Sequence, residues 1–392
     1  MPDYRGKLIV LPPNRVWRTY PGGKTLDQLA RASSPSDSHF AEDWIASTTR
    51  AMNPPHAAQK TLAAQGATSP GISQVRVGHD PSPRDFAELL ASDAEYFLGA
   101  AHVKRYGAQP QLLVKFLDSG TRLHFQVHPT REFAQRLLGA PSGKTEAYYV
   151  LGTREVSLGL TGEPDNRNVM PGPSISEPSG YIYVGFQRPP TPAQLRDYIL
   201  TQNIAAIESC FDRINVSPGD TFIIPGGTPH ALGAGVFMVE IQEPSDLVVR
   251  FEFERAGYML PESARFMNRD VDVALTVFNL SPVTPSDLDA RIRCRPHRIR
   301  ELGPGSWQEE LIGARQTDCF RVNRTHIGGP LVKDETSSVV AIVTAGSVMV
   351  EAGGERHRFD IYEKFFLPAG LGSVRLTPLQ SPCHLLECFP PR

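Results

Sequence analysis

Residues 123–130, LHFQVHPT, set His124, Gln126 and His128 at alternate positions between Leu123, Phe125 and Val127. Successive side chains of a strand point to opposite faces, so the three polar residues share one face and the three apolar residues the other. An antiparallel sheet with one face in solvent would explain the alternation by itself. A metal is the alternative, and two further stretches supply partners for it: Glu146 in GKTEAYYVLG and His230 in PGGTPHALG. Gln126 and His128 project the same way from one strand, Glu146 opens the next β-run, and a loop histidine at 230 can close the set. Taken singly, Gln126 could face solvent, Glu146 could be a surface acid and His230 a capped loop residue. Nitrogen and hard oxygen donors without thiolate suit Zn²⁺, with Mn²⁺, Co²⁺ or Fe²⁺ as alternatives. One carboxylate among neutral ligands leaves the site net positive, which suits a metal that stabilises an oxyanion.

The elements that must position these residues read as short strands: 112–118, 122–128, 146–152, 181–186, 220–225, 237–242 and 247–253. Thirty-five prolines and 33 glycines punctuate them, the pattern of an all-β sandwich or barrel. Apolar spacing of three and four predicts helices over 82–99, 130–140 and 191–214. Residues 51–84, rich in Ala, Pro, Gly and Ser, read as a long connecting excursion. Residues 337–378 read as hairpins turning at Ala345-Gly346 and at Gly353-Gly354. The chain therefore divides into a metal-binding catalytic barrel with helical insertions, 1–255, and a second barrel, 256–392. In the second, KFFLPAGLGSVRL lies where DTFIIPGGTPHAL lies in the first but has no histidine after its turn, so this barrel is expected to bind no metal.

A length of 392 residues with 40% hydrophobic content supports two domains. Lys and Arg total 40 against 42 acids, a net charge of -2, so no bulk field favours nucleic acid or an acidic membrane, and an anionic ligand must be held locally. No run approaches the ~18 apolar residues of a membrane span, and the N-terminus reads as unexported. Five scattered cysteines without a CxxC pair argue against disulfides and thiolate zinc, and fit a reducing cytoplasm.

Gln126-Val127-His128-Pro129, Gly143-Lys144-Thr145-Glu146 and Pro225-Gly226-Gly227-Thr228-Pro229-His230-Ala231, in that order, resemble the type I mannose-6-phosphate isomerases, zinc-dependent enzymes of the cupin superfamily, and among them the shorter bacterial branch. Glu42-Asp43-Trp44, Leu113-Val114-Lys115, Val239-Glu240-Ile241-Gln242, Ser245-Asp246 and Arg250 extend the resemblance over most of the chain. It implies a mainly β protein of two cupin (jelly-roll) barrels with a small helical element, and one Zn²⁺ per chain on Gln126, His128, Glu146 and His230. It places Lys144 and Arg250 in the substrate pocket and Lys115 on the phosphate. The implied reaction moves a proton between C1 and C2 of mannose 6-phosphate and fructose 6-phosphate through a cis-enediol. Arg250 and Lys144 can add to the metal's stabilisation of that intermediate, and Glu240, Asp246, Lys144 and His124 are all able to carry the proton. Glu240 joins Arg250 and Lys144 as the expected catalytic set; Lys115, His124 and Asp246 are the expected substrate contacts. The implied partner is a small sugar phosphate, and the implied assembly a monomer or homodimer.

His124 stands where the family usually has serine, and an imidazole there would narrow or re-aim the pocket. An isomerase of another or unphosphorylated sugar, and a non-catalytic sugar-binding cupin, are therefore carried as alternatives. An iron-dependent cupin oxygenase is disfavoured, because such proteins usually put histidine at the position of Gln126.

Overall fold

A computed structural model describes residues 3–54, 57, 60, 69–154 and 180–392. Its N-terminal half is built on two antiparallel sheets. One runs, in spatial order, Thr221–Ile224, Glu146–Thr153, Val236–Gln242, Leu113–Asp118, Glu42–Ile45 and Arg15–Val16; the other runs Ile214–Asn215, Tyr181–Val184, His230–Leu232, Gln126–Val127 and Val249–Arg250. The central strands of the first sheet are buried on both faces, and period-two alternation gives the faces different jobs. Val114, Phe116, Tyr149, Val239 and Ile241 turn backwards and join Val322, Ile342, Phe366 and Leu386 of the C-terminal sheet in one apolar cluster. Each such side chain contributes about 1.5–3 kcal/mol by leaving water. Lys115, Glu146 and Glu240, at the intervening positions, turn the other way and stay buried. Beyond them Leu117, Tyr148, Val150, Ile182, Phe222, Ile224 and Met238 fill the space between the two sheets.

The C-terminal half forms an eleven-stranded sheet, into which the chain's own beginning is woven. Ile9–Val10 pairs with Lys364–Leu367 on one side and with Gln74–Val77 on the other. The excursion expected over 51–84 thus contains a strand, while its residues 55–56, 58–59 and 61–68 lie outside the described residues. No helix among the described residues is long and apolar enough to cross a membrane.

Three helical expectations are met in pieces. The 191–214 segment starts with a Thr191–Gln194 capping box, but Pro192–Thr201 stops where Gln202 takes a left-handed conformation, and Asn203 caps a second helix, Ile204–Ser209. Residues 82–99 form Phe86–Ser92 and Ala94–Leu98 on either side of Asp93, and 130–140 form Arg131–Phe133 continued by a wider π turn over Ala134–Leu138. The turn expected at Ala345-Gly346 is absent. Val339–Ala352 is one strand whose register slips at 343–348, and Gly346 at φ +67 absorbs the slip where a Cβ would meet the Pro382 carbonyl at 2.3 Å. The Gly353-Gly354 turn is present between Ala352 and Glu355.

Candidate active site and metal centre

Ladder pairing sets Gln126 directly opposite His230, so His230 opens a strand rather than sitting in a loop. Glu146 reaches them from the facing sheet. Its Oε1 lies 3.1 Å from His230 Nε2 and its Oε2 3.2 Å from His128 Nε2, and Gln126 Nε2 is 3.3 Å from His230 Nε2. Glu146, His128 and His230 are all buried.

The donor chemistry of this cluster fits a cation. His128 Nδ1 donates to the Leu247 carbonyl at 2.9 Å and His230 Nδ1 to the Thr228 carbonyl at 2.8 Å. A carbonyl can only accept, so each neutral ring carries its proton on Nδ1 and turns the Nε2 lone pair toward Glu146. Burial and the neighbouring Lys144 push the His128 imidazole down to about 3, against the pull of Glu146, and keep it neutral. Glu146 Oε2 is buried without a hydrogen bond of acceptable geometry, although Lys144 Nζ stands 2.9 Å away. Lone pairs converging on a carboxylate repel one another unless a positive charge lies among them. The Lys144 ammonium, also 2.9 Å from His128 Nε2, is drawn toward this acceptor-rich point. Turning the Gln126 amide, whose O and N are interchangeable in position, would add a carbonyl oxygen to the set. Tyr148, two residues along the same strand face, donates its hydroxyl to Glu146 Oε1 and fixes the carboxylate.

A narrow polar cleft opens beside this point, lined by Arg18, Tyr20, Glu42, Lys115, His124, Lys144, Glu240, Asp246 and Arg250 among others. Lys115 Nζ lies 3.0 Å from Glu240 and 3.6 Å from Glu42, and Lys144 Nζ lies 3.6 Å from the same Glu240 oxygen. Arg18 clasps Asp246 with two bonds of 3.0 and 2.9 Å and reaches Glu42 at 3.2 Å. Met52 N also donates to Asp246, at 2.8 Å, so both oxygens of this carboxylate are engaged in holding protein groups. Burial pushes the Glu240 carboxyl up, opposed by Lys115 and reinforced by Glu146. Arg250 is the exception. Its guanidinium donates to the Ala264 carbonyl at 3.1 Å and, among the described residues, has no carboxylate at ion-pair distance. Burial, and then Arg18, push it down to about 10, so it remains a cation at neutral pH with its charge directed at the cleft.

His124 lies on the same face as Gln126 and His128 but belongs to the cleft rather than to the metal set. Its Nδ1 donates to the Glu252 carbonyl at 3.0 Å, and its buried Nε2 has no hydrogen bond. Burial, and then Arg250, push this ring down to about 3. Glu252 is itself locked by Arg122 at 2.6 and 2.9 Å. Eight of the ten residues singled out from the sequence therefore line one cleft, and the other two, Glu146 and His230, adjoin it through His128 and Gln126. Arg18, Tyr20 and Tyr148 were missed, and the signal was alternation: Arg18 and Tyr20 are two apart in WRTY, and Tyr148 is two past Glu146. A roomier cleft between the two halves, floored by the Asp43–Lys364 pair at 2.6 Å, holds none of the metal set.

No family model matches the chain. It is 30% identical to the mannose-6-phosphate isomerase of Streptococcus mutans over 259 residues, 66% of this chain and 68% of that protein. It is 28% identical to the mannose-6-phosphate isomerase ManA of Bacillus subtilis over 269 residues, 68% of this chain and 71% of that protein. Its fold matches a crystal structure of the mannose 6-phosphate isomerase from Bacillus subtilis with a TM-score of 0.69 at 20% identity, covering 97% of this chain and 99% of that one. A crystal structure of a phosphomannose isomerase variant from Salmonella typhimurium matches with a TM-score of 0.66 at 13% identity, covering 98% and 100%. A mainly β fold shared end to end, and 30% identity over 66% of this chain, have one common source: this chain belongs to the family of type I mannose-6-phosphate isomerases, of the short bacterial kind.

Proposed function

We propose that this protein interconverts mannose 6-phosphate and fructose 6-phosphate by moving a proton between C1 and C2 through a cis-enediol. The observation that carries the reading is the convergence of acceptor lone pairs from His128, Glu146 and His230 beside a cleft that holds a buried arginine with, among the described residues, no carboxylate at ion-pair distance. Gln126, His128, Glu146 and His230 would hold one divalent ion, Zn²⁺ in our reading, which supplies electrostatic stabilisation to the oxyanion developing on the sugar. In the cleft, the carboxylates Glu42, Glu146, Glu240 and Asp246 balance the cations Arg18, Lys115, Lys144 and Arg250. With a divalent ion bound, the excess positive charge matches the −1.5 to −2 carried by a phosphate monoester, roughly.

In this reading Arg250 faces the developing charge, since among the described residues no carboxylate stands at ion-pair distance from it. Glu240, its carboxyl raised by burial and flanked by two lysines, takes the proton from one carbon and returns it to the next. Lys144 stabilises the enediolate and holds Glu240 in reach. Lys115 meets the phosphate, Asp246 positions Arg18, and His124 offers its Nε2 lone pair to a sugar hydroxyl. Residues 1–255 would be the metal-bearing cupin barrel and 256–392 the second. The five free, buried cysteines support a cytoplasmic setting, with the enzyme acting as monomer or homodimer on a small sugar phosphate.

The test is isomerisation of fructose 6-phosphate by chelator-stripped protein with and without added Zn²⁺. Zinc-restored turnover is expected. Folded, zinc-loaded protein without turnover on this sugar would overturn the reading in favour of an isomerase of an unphosphorylated sugar or of a binding protein, which turnover of free mannose would then separate.

A further inference from the structure

We infer that His79, Glu355 and His357 form a second divalent-metal site, remote from the catalytic cleft, that clamps the N-terminal segment to the C-terminal sheet. Glu355 and His357 are two apart on the strand Glu355–Asp360 and project from one face, the spacing that Gln126 and His128 use in the first site. His79 arrives from the turn after Gln74–Val77. The ligating atoms of all three lie within 4.8 Å of one another. The two imidazoles stack with centroids 4.0 Å apart and planes 17° from parallel, and Glu355 Oε2 lies 3.2 Å from His357 Nε2.

The backbone of the preceding turn leaves room for this carboxylate. Gly78, at φ +56, is where a Cβ would stand 2.2 Å from Glu355 Oε2, so a larger residue would turn the carboxylate out of this position. Lys7 Nζ holds the other oxygen, Oε1, at 3.4 Å, which leaves Oε2 aimed at the imidazole. That pair is partly exposed and weak, so it does not screen the site from a doubly charged ion. Two imidazole nitrogens and one carboxylate with open positions select Zn²⁺ or its transition-metal neighbours over Mg²⁺ or Ca²⁺. Bonds of about 2.0–2.1 Å require the ligand atoms to draw closer than they stand, and the exposed His79 supplies that movement by rotating. His357 is buried and provides the fixed side of the clamp. The turn after Pro368, which lacks a counterpart of His230, lies elsewhere in this half and has no bearing on the Ala352–Glu355 hairpin.

The experiment compares wild type, His79→Ala, Glu355→Gln and His128→Ala after equilibration with buffered free Zn²⁺, by metal content, and after Co²⁺ loading, by visible absorption. Wild type is expected to hold a second equivalent, which His79→Ala and Glu355→Gln lose while keeping the first equivalent and full isomerase turnover. His128→Ala should lose the other equivalent. Equal metal content in wild type and His79→Ala at saturating zinc, whatever its value, overturns the second site. His79 is exposed, so loss of folding does not confound the result, and the metal count stands whether or not the assumed sugar is turned over.

Discussion

Each half of the molecule buries a glutamate beside a lysine, and the two differ in what completes the shell. Glu387 in the C-terminal sheet accepts from Lys333 Nζ and Thr325 Oγ1, and from Gln308 Nε2 at 2.8 Å. Glu146 has Lys144 and Tyr148 but faces two imidazoles whose protons are already given to backbone carbonyls. Both carboxyls are held below the usual range: burial raises each, and Lys333 at one site and Lys144 at the other overcome it. Every neighbour of Glu387 is a donor, so its site is closed. Around Glu146 acceptors exceed donors, so its site is completed by a cation. Burial and charge alone do not distinguish a structural ion pair from a metal site; the direction of the histidine protons does.

The comparison breaks if the first site holds its metal without its imidazoles. His128→Ala should lose the ion and lower turnover by about 10³-fold or more, the scale on which removing electrostatic stabilisation of an oxyanion acts. Metal content and a coupled isomerase assay measure it, and full occupancy in this variant would remove His128 from the set. In the C-terminal half the expected effect is on stability and leaves turnover intact. Glu387→Leu strands the buried Lys333 ammonium and should cost about 3–5 kcal/mol in denaturant unfolding. Adding Lys333→Met should recover most of that loss, because the charge that needed a partner is gone. If turnover per folded molecule fell with Glu387→Leu, the two halves would be coupled in a way the geometry does not suggest.

The sequence makes the site more legible than the fold around it. A site built on strands repeats every two residues, so Gln126 with His128 is visible as a pair, whereas the partners joining them come from distant strands; Glu355 and His357 have the same spacing but no flanking motif to mark them. His230 reads as a loop residue because Pro-Gly-Gly precedes it; only its pairing with Gln126 makes it a strand. Ala345-Gly346 reads as a turn because a left-handed glycine serves a bulge as well as a hairpin, and only the neighbouring Pro382 carbonyl decides which. The weaving of Ile9–Val10 into the C-terminal sheet left no local trace, since two apolar residues pair equally well with any open edge.

Acid should sharpen the contrast between the halves. His124 is about 1% exposed and held down to about 3, against 6.5 unfolded, so the unfolded chain takes up its proton first. Its contribution is whole above pH ~6.5 and is lost as pH falls toward the folded value, at about 1.4 kcal/mol per unit, or roughly 2 kcal/mol by pH ~5. Glu387 has the opposite requirement: its folded value is depressed, so its contribution holds above pH ~4.3 and fades only as pH falls through the folded value. Subtracting the His124→Ser urea midpoints from wild type should therefore give a slope between pH ~6.5 and ~5, and subtracting those of Glu387→Leu should give none there. A flat His124 difference would mean that the ring is charged in the folded protein.

The smallest expected effect is on sugar choice. A neutral His124 with Nδ1 committed to Glu252 can offer the cleft only an acceptor, beside the Arg250 guanidinium. A serine hydroxyl in its place can also donate, and it is smaller, so the pocket gains both room and a donor for phosphate oxygens. His124→Ser should raise kcat/KM for mannose 6-phosphate relative to free mannose by about 3- to 10-fold, the worth of one hydrogen bond of about 0.5–1.5 kcal/mol. The change should appear mainly in KM, because a group that binds the phosphate end holds ground state and transition state alike. An unchanged ratio would leave Lys115 as the determinant of phosphate preference, and a ratio shifted toward free mannose would mean that the imidazole itself contacts the phosphate.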